Sequence, residues 1–396
     1  MKLPIYLDHN ATTPCDPRVV QAMMPYFTEH FGNAASRNHS FGWQAAEAVQ
    51  IAREQVAALI NADPGEIIFT SGATEADNLA IKGVMETYAS RGNHIITSNI
   101  EHKAVLDACR HLEKQGAAVS YLPVNNEGLV TAAQVEAAIR PDTVLIAIMY
   151  ANNEMGTLMP VHEIGQVAKK HRIIFFTDAT QAVGKIPVDV QQSGIDLLAL
   201  TAHKMYGPKG VGALYVRRKN PRVKLTSQLD GGGHEKGMRS GTLNVTGIVG
   251  LGKACEIAGA EMEASARKIS VLRDRLETAL LSLDDTSVSG SIEKRLPHVT
   301  NISFGGVNDE ALIAGINKEI AVSSGSACSS ASIEPSYVLK AIGLSDEMAH
   351  SSIRFGLGKS TTEEEINYTI EKVSKTVKSL REMSPAGTIE TIIKES

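Results

Sequence analysis

The chain is poor in aromatic residues, with one tryptophan, and carries four cysteines in 396 residues. Cys15, Cys109, Cys255 and Cys328 lie far apart, with no C-x-x-C pair and no metal-ligand spacing. A chain this long buries a core without disulfide staples, so reduced thiols and a cytoplasmic location are expected. No run of 18 or more apolar residues occurs, which excludes a transmembrane helix. The opening MKLPIYLDHN has no apolar segment of signal-peptide length. Positive charge is not in excess: 39 Lys and Arg face 44 Asp and Glu, for a net charge of −5. Nothing therefore argues for a nucleic-acid or membrane partner. The dinucleotide G-x-G-x-x-G and the phosphate loop G-x-x-x-x-G-K-[ST] are missing at the first strand–helix turn, which weakens NAD and ATP as ligands. The remainder is ordinary globular composition, 43% hydrophobic and 21% charged, and catalysis on a small molecule is the favoured class.

Seven short apolar runs punctuate the first 216 residues: EIIFT (66–70), HIITS (94–98), AVSYL (118–122), TVLIAIMY (143–150), IIFFTD (173–178), DLLALT (196–201) and GVGALYV (210–216). Most lack alternation, as strands covered on both faces do. Helical periodicity fills the gaps at Trp43–Ile60, Glu75–Tyr88, Lys103–Gln115 and Val161–His171. This pattern predicts an α/β fold with a seven-stranded, mostly parallel sheet. A long helical stretch follows from about Val245 to Leu283, then strands at Val299–Phe304, Ile320–Ser323 and Ser352–Phe355 and a helix opening at TTEEEI (361–366). We read a large domain over 16–260 and a smaller α+β domain formed by 1–15 and 261–396, the latter carrying the loop 321–333. The tail SPAGTIETIIKES (384–396) reads as a weakly held end.

Ligands of such sheets bind beyond the carboxyl ends of the strands, so polar residues there carry the functional reading. In FTSGATEADN, Thr74 opens a helix whose free amides suit a phosphate, although a plain capped helix explains the same residues. Asp178 follows a very apolar strand, where a carboxylate needs a partner. The protonated nitrogen of a pyridine cofactor is one such partner, and a helix cap is the alternative. Lys204 follows the next strand, in TAHKMYGPKGVG, where a partly desolvated amine suits Schiff-base formation. His102 sits at another strand end, placed to stack on a flat cofactor or carry a proton, and Asn153 ends the next apolar run. Cys328 lies among Ser and Gly in AVSSGSACSSASIEPS, a context that presents a thiol, whereas Cys109 and Cys255 lie in apolar helices. Arg354, inside a short strand, needs an anion: a substrate carboxylate or a structural ion pair.

These motifs, with YLDHNATTP, GNAASRNHSFG, EHKAV, ANNEMGT, TDATQAVGK, GGGHEKGMRSGTLN and RFGLGKSTTEEEI, resemble in order and over nearly the whole chain the pyridoxal-phosphate-dependent cysteine desulfurases that supply sulfur for iron–sulfur clusters. The resemblance implies the type I fold of pyridoxal-phosphate enzymes and a homodimer. It also implies pyridoxal 5'-phosphate as cofactor and conversion of L-cysteine to L-alanine. Lys204 would be the Schiff-base lysine, Asp178 the pyridinium partner, and His102 the stacking residue and acid/base. Asn153 and Gln181 would bond the ring hydroxyl side. Ala73, Thr74, Thr201, His203 and, from the other chain, Thr242 would hold the phosphate. Arg354, with Asn153, would bind the substrate carboxylate. Cys328 would accept the sulfur as a persulfide and pass it to a scaffold protein or a tRNA-thiolation relay. A selenocysteine lyase or another β-eliminating enzyme is the alternative within this fold, and a silent scaffold the alternative outside it.

Overall fold

The computed structural model describes residues 1–324 and 334–383. Cys328, with most of the 321–333 loop, and the tail 384–396 lie outside the described residues.

After a two-residue strand β1 (Ile5–Tyr6), all seven apolar runs form strands: β2 (Ile67–Thr70), β3 (His94–Ser98), β4 (Ala118–Leu122), β5 (Thr143–Ala147), β6 (Ile174–Asp178), β7 (Leu197–Thr201) and β8 (Gly212–Val216). They make one sheet in the order β2-β8-β7-β6-β5-β3-β4. Neighbours from β7 to β4 are parallel, and β8 alone runs against both of its partners. The reversal has a simple cause. Only the loop 202–211 separates β7 from β8, too short for the crossover that a parallel neighbour requires. The predicted strand 143–150 is shorter in the structure, ending at Ala147; the following residues leave the ladder and keep single bonds, Ile148 N–H to Phe176 O and Tyr150 N–H to Asp178 O.

Both sheet faces are covered, which is why the strands do not alternate. Phe175 points into one core, with Ile96, Ile146 and Leu198, while Phe176 points into the other, with Ile95, Leu197 and Leu214. Both rings are fully buried, and each contributes roughly 2–3 kcal/mol relative to exposure.

The second part of the chain adds β9 (Thr286–Val288), β10 (Val299–Phe304), β11 (Ile320–Ala321), β12 (Ser323–Ser324) and β13 (Ser352–Gly356). A four-stranded antiparallel sheet runs β12-β13-β10-β9, and β11 pairs with β1. The helix Val245–Leu280 serves both halves. Its Ile248, Leu251, Ala254 and Cys255 pack beside the large sheet, and its Ile269, Leu272, Leu276 and Leu280 pack with Phe304 and Phe355 of the smaller one. The N-terminal segment crosses between them: after β1, His9 N–H bonds Gly356 O while Thr13 N–H bonds His203 O.

Candidate functional site

An open cleft of about 670 Å³ lies over the carboxyl ends of the central strands. Each strand end delivers one polar side chain to it. β3 leads to His102, β5 to Asn153, β6 ends in Asp178, and β7 runs into a short 3₁₀ turn, Ala202–Lys204. From the other half comes Arg354 of β13. Ala73, Thr74, Gln181, Thr201 and His203 also line the cleft. Thr242 does not; it is exposed, outside the cleft of its own chain.

Lys204 Nζ donates to the carbonyls of Asn10 and, at 2.8 Å, Ala11. Asp178 is buried; its Oδ1 accepts the Thr180 N–H at 2.9 Å, capping a turn, and the residue also lines the cleft. His102 caps the helix Lys103–Glu113 by accepting the Ala104 N–H on Nδ1 at 3.2 Å. That bond uses the Nδ1 lone pair, so the neutral ring carries its proton on Nε2. Burial, ahead of the Lys204 charge, lowers the His102 pKa. Burial with Lys204 and Lys209 lowers His203 to about 4, and its Nδ1 lies 3.1 Å from Thr12 Oγ1.

The helix Ala73–Thr87 opens at Gly72, on the cleft wall, with no capping side chain on its first amides. Gly72 has φ +158°, and its backbone comes so close to β8 that a Cβ on Gly212 would lie 2.8 Å from Gly72 Cα. Glu75 fixes this corner by accepting the Ser71 N–H at 2.7 Å and an Arg239 ion pair at 2.7 Å.

Arg354 has an anion already. Its Nη2 pairs with Asp8 at 2.8 Å and its Nη1 donates to Asn153 O at 3.0 Å, while Nε has no partner. The structural ion pair read as the alternative is therefore real, and the buried Nε is the one guanidinium nitrogen left without a partner. Asn153 Oδ1 likewise has no partner. Gln181 is oriented from both ends: Lys185 donates to its Oε1 at 2.9 Å, and its Nε2 donates to Asn10 O at 3.0 Å. Burial depresses Lys185 well below the usual lysine range.

Sequence reading missed several groups here. Asp8 and Asn10 belong to a motif whose individual residues had no strand-end signal. Asp77 lies on the apolar stripe Asp77, Ala80, Ile81, Val84 of its helix, and that spacing was the available clue. Glu101 is fully buried beside His102. Its Oε1 accepts the Ser98 hydroxyl at 2.6 Å and the Met149 N–H at 3.0 Å, and burial raises its pKa to about 8.

The sign of the Glu101 effect is definite. The folded state keeps the proton up to about pH 8, whereas an unfolded chain releases it above about pH 4.3, so this group lowers stability as pH rises between those values. Glu101→Gln keeps both acceptor bonds and removes the titration. The difference in thermal midpoint between variant and parent is expected to move in the variant's favour from about pH 5 to about pH 8. A pH-independent difference would show that Glu101 is ionised throughout.

The "Aminotransferase class-V" family profile matches residues 5–369. The chain is 58% identical over 387 residues to "Cysteine desulfurase IscS" of Shewanella woodyi, covering 97% of this chain and 95% of that one. It is 56% identical over 386 residues, with the same coverage, to the protein of that name from Anaeromyxobacter dehalogenans. Among solved structures, a "NIFS-like protein" superposes with TM-score 0.88 at 37% identity over 95% of this chain and all of that one. "SspA in complex with cysteine" does so with TM-score 0.80 at 40% identity, over 90% of this chain and all of the other.

Proposed function

From the premise that this chain belongs to the class-V aminotransferase family and is a pyridoxal-phosphate-dependent cysteine desulfurase, we propose the following division of labour among its residues. The observation that carries it is the convergence on one cleft of Lys204, Asp178, His102 and Arg354, supplied by four strands distant in sequence. The residues present fit the cofactor. A buried carboxylate suits a pyridinium nitrogen, uncapped helix amides at Gly72 suit a phosphate, and the unpartnered Asn153 Oδ1 awaits a donor. When bound, pyridoxal phosphate supplies the electron sink that labilises bonds to the substrate α-carbon.

Every other role falls to the chain. Lys204 would hold the cofactor covalently and then move the substrate α-proton, its ammonium resting on the Asn10 and Ala11 carbonyls when displaced. Asp178 would face the ring nitrogen, and the imidazole of His102 would lie against the ring and exchange protons with the thiols. Gln181 bonds the hydroxyl side with Asn153. Ala73, Thr74, Thr201 and His203 surround the phosphate. Arg354 offers its free Nε edge to the carboxylate of L-cysteine, aided by Asn153. Cys328 attacks the substrate sulfur, breaking its bond to carbon, and becomes a persulfide while alanine leaves. An acceptor then takes the sulfur, and we assign this to a scaffold for iron–sulfur assembly or a tRNA-thiolation relay in the cytoplasm.

We further assign a homodimer. Met24, Phe27, Phe31, Phe41 and Trp43 are exposed within one stretch of chain, a patch that a lone soluble domain rarely carries. Thr242, outside its own cleft, then serves the phosphate of the other protomer. The large domain is 16–260, and 1–15 with 261–396 form the small one. Among the described residues no helix is long and apolar enough to cross a membrane.

The test is intact mass and alanine release after incubation with L-cysteine. The parent is expected to gain one sulfur and Cys328→Ala none, with alanine release falling at least about 100-fold. Undiminished alanine release from Cys328→Ala would favour the selenocysteine-lyase alternative, and release of pyruvate in place of alanine the β-eliminating one.

A further inference from the structure

Of the acidic residues on the helix Ala73–Thr87, Asp77 is the fully buried one. Neither of its oxygens has a hydrogen-bond partner, although its side chain lines the cleft. One of those oxygens, an oxygen of Asp178 and a ring nitrogen of His102 all lie within 4.8 Å of one another. We propose that Asp77 is a positioning residue: a neutral carboxylic acid that donates its O–H to the Asp178 carboxylate and steadies the anion facing the cofactor ring. The proposal rests on the assignment of Asp178 to the ring nitrogen.

Three lines of physics converge on it. An ionised carboxylate without partner or cation in this interior costs several kcal/mol, and two carboxylates so close do not both ionise. The groups facing Asp77 are Asp178 at the end of β6 and, from the turn before Lys103–Glu113, Glu101 and His102. Burial, with the Asp178 charge behind it, raises Asp77 well above the usual carboxylate range. Of the pair, Asp178 is the one with a backbone N–H to hold its charge, from Thr180, so the proton belongs on Asp77.

Among the described groups facing Asp77, His102 has spent its Nδ1 lone pair on Ala104 and Glu101 holds a proton up to about pH 8, so the Asp178 carboxylate is the anionic, stronger acceptor. An oxygen of each carboxyl group lies within 4.8 Å of the other with no hydrogen bond between them, and rotation about the soft terminal torsion is the movement the proposal requires. With Thr180 on one side and Asp77 on the other, Asp178 is pinned in the plane from which it meets the ring.

The test compares the holoenzyme with Asp77→Asn, whose amide still donates, and Asp77→Leu, of similar shape but with no donor. At neutral pH, infrared difference spectra of parent minus Asp77→Asn are expected to contain a protonated-carboxyl carbonyl band. Asp77→Leu is expected to lose cofactor absorbance on dialysis about tenfold faster or more, and Asp77→Asn to stay within about twofold of the parent. A missing band overturns the proposal, because Asp77 is then ionised. Equal retention by both variants, or equal loss, overturns it too. If Asp77→Leu fails to fold, the band and the Asp77→Asn retention decide alone. Failure of the underlying assignment reads differently: Asp178→Asn would then leave the cofactor spectrum unchanged, whatever the band shows.

Discussion

Lys204→Ala is expected to reduce turnover of L-cysteine by at least about 10³-fold. Two functions are lost at once. On the proposed assignment the amine is both the nucleophile that attaches the cofactor and the base that moves the α-proton, a role worth about 10²–10⁴-fold alone. Of the nearby cations, Lys185 is tied to Gln181 and Arg354 to Asp8 and Asn153, and Lys209 is the other amine that lines the cleft. The borohydride-trapped link between chain and cofactor, present in the parent, is expected to vanish by mass. Added methylamine is expected to restore part of the activity, which separates chemistry from misfolding. Retention of more than about a tenth of parental turnover would remove Lys204 from the mechanism.

Asp178→Asn is the second large effect, an expected loss of about 10²–10³ in kcat. Asparagine keeps the acceptor for the Thr180 N–H, so the fold is preserved while the negative charge disappears. A buried charged pair that loses one partner forfeits about 3–5 kcal/mol, and the electron sink depends on that charge holding the ring protonated. KM for L-cysteine is expected to stay within about threefold, since Arg354 and Asn153 are untouched. A raised KM with unchanged kcat would assign Asp178 to substrate binding instead.

Much of this site was legible before any coordinates. Lys204, Asp178, His102 and Asn153 each follow a run of apolar residues, and a polar side chain placed just beyond a doubly covered strand is conspicuous. Arg354 was legible as an arginine needing an anion, but the choice between anions was not. Asp8, which pairs with it, lies 346 residues away in sequence. Asp77 had a weaker signal, an acid on an apolar stripe, and Glu101 had none beyond its neighbour His102.

The sequence by itself determined the elements: which stretches are strands, that both faces of the sheet are covered, and that polar groups collect at the strand ends. Periodicity and burial are local, so the chain displays them residue by residue. Tertiary structure alone decided the order β2-β8-β7-β6-β5-β3-β4, the reversal of β8, the crossing of Asp8 and Asn10 into the cleft, and the crowding of Asp77, His102 and Asp178. These are juxtapositions of distant segments. The charge state of a buried carboxylate depends on which neighbours burial imposes on it, and that is settled only when the chain has closed around them.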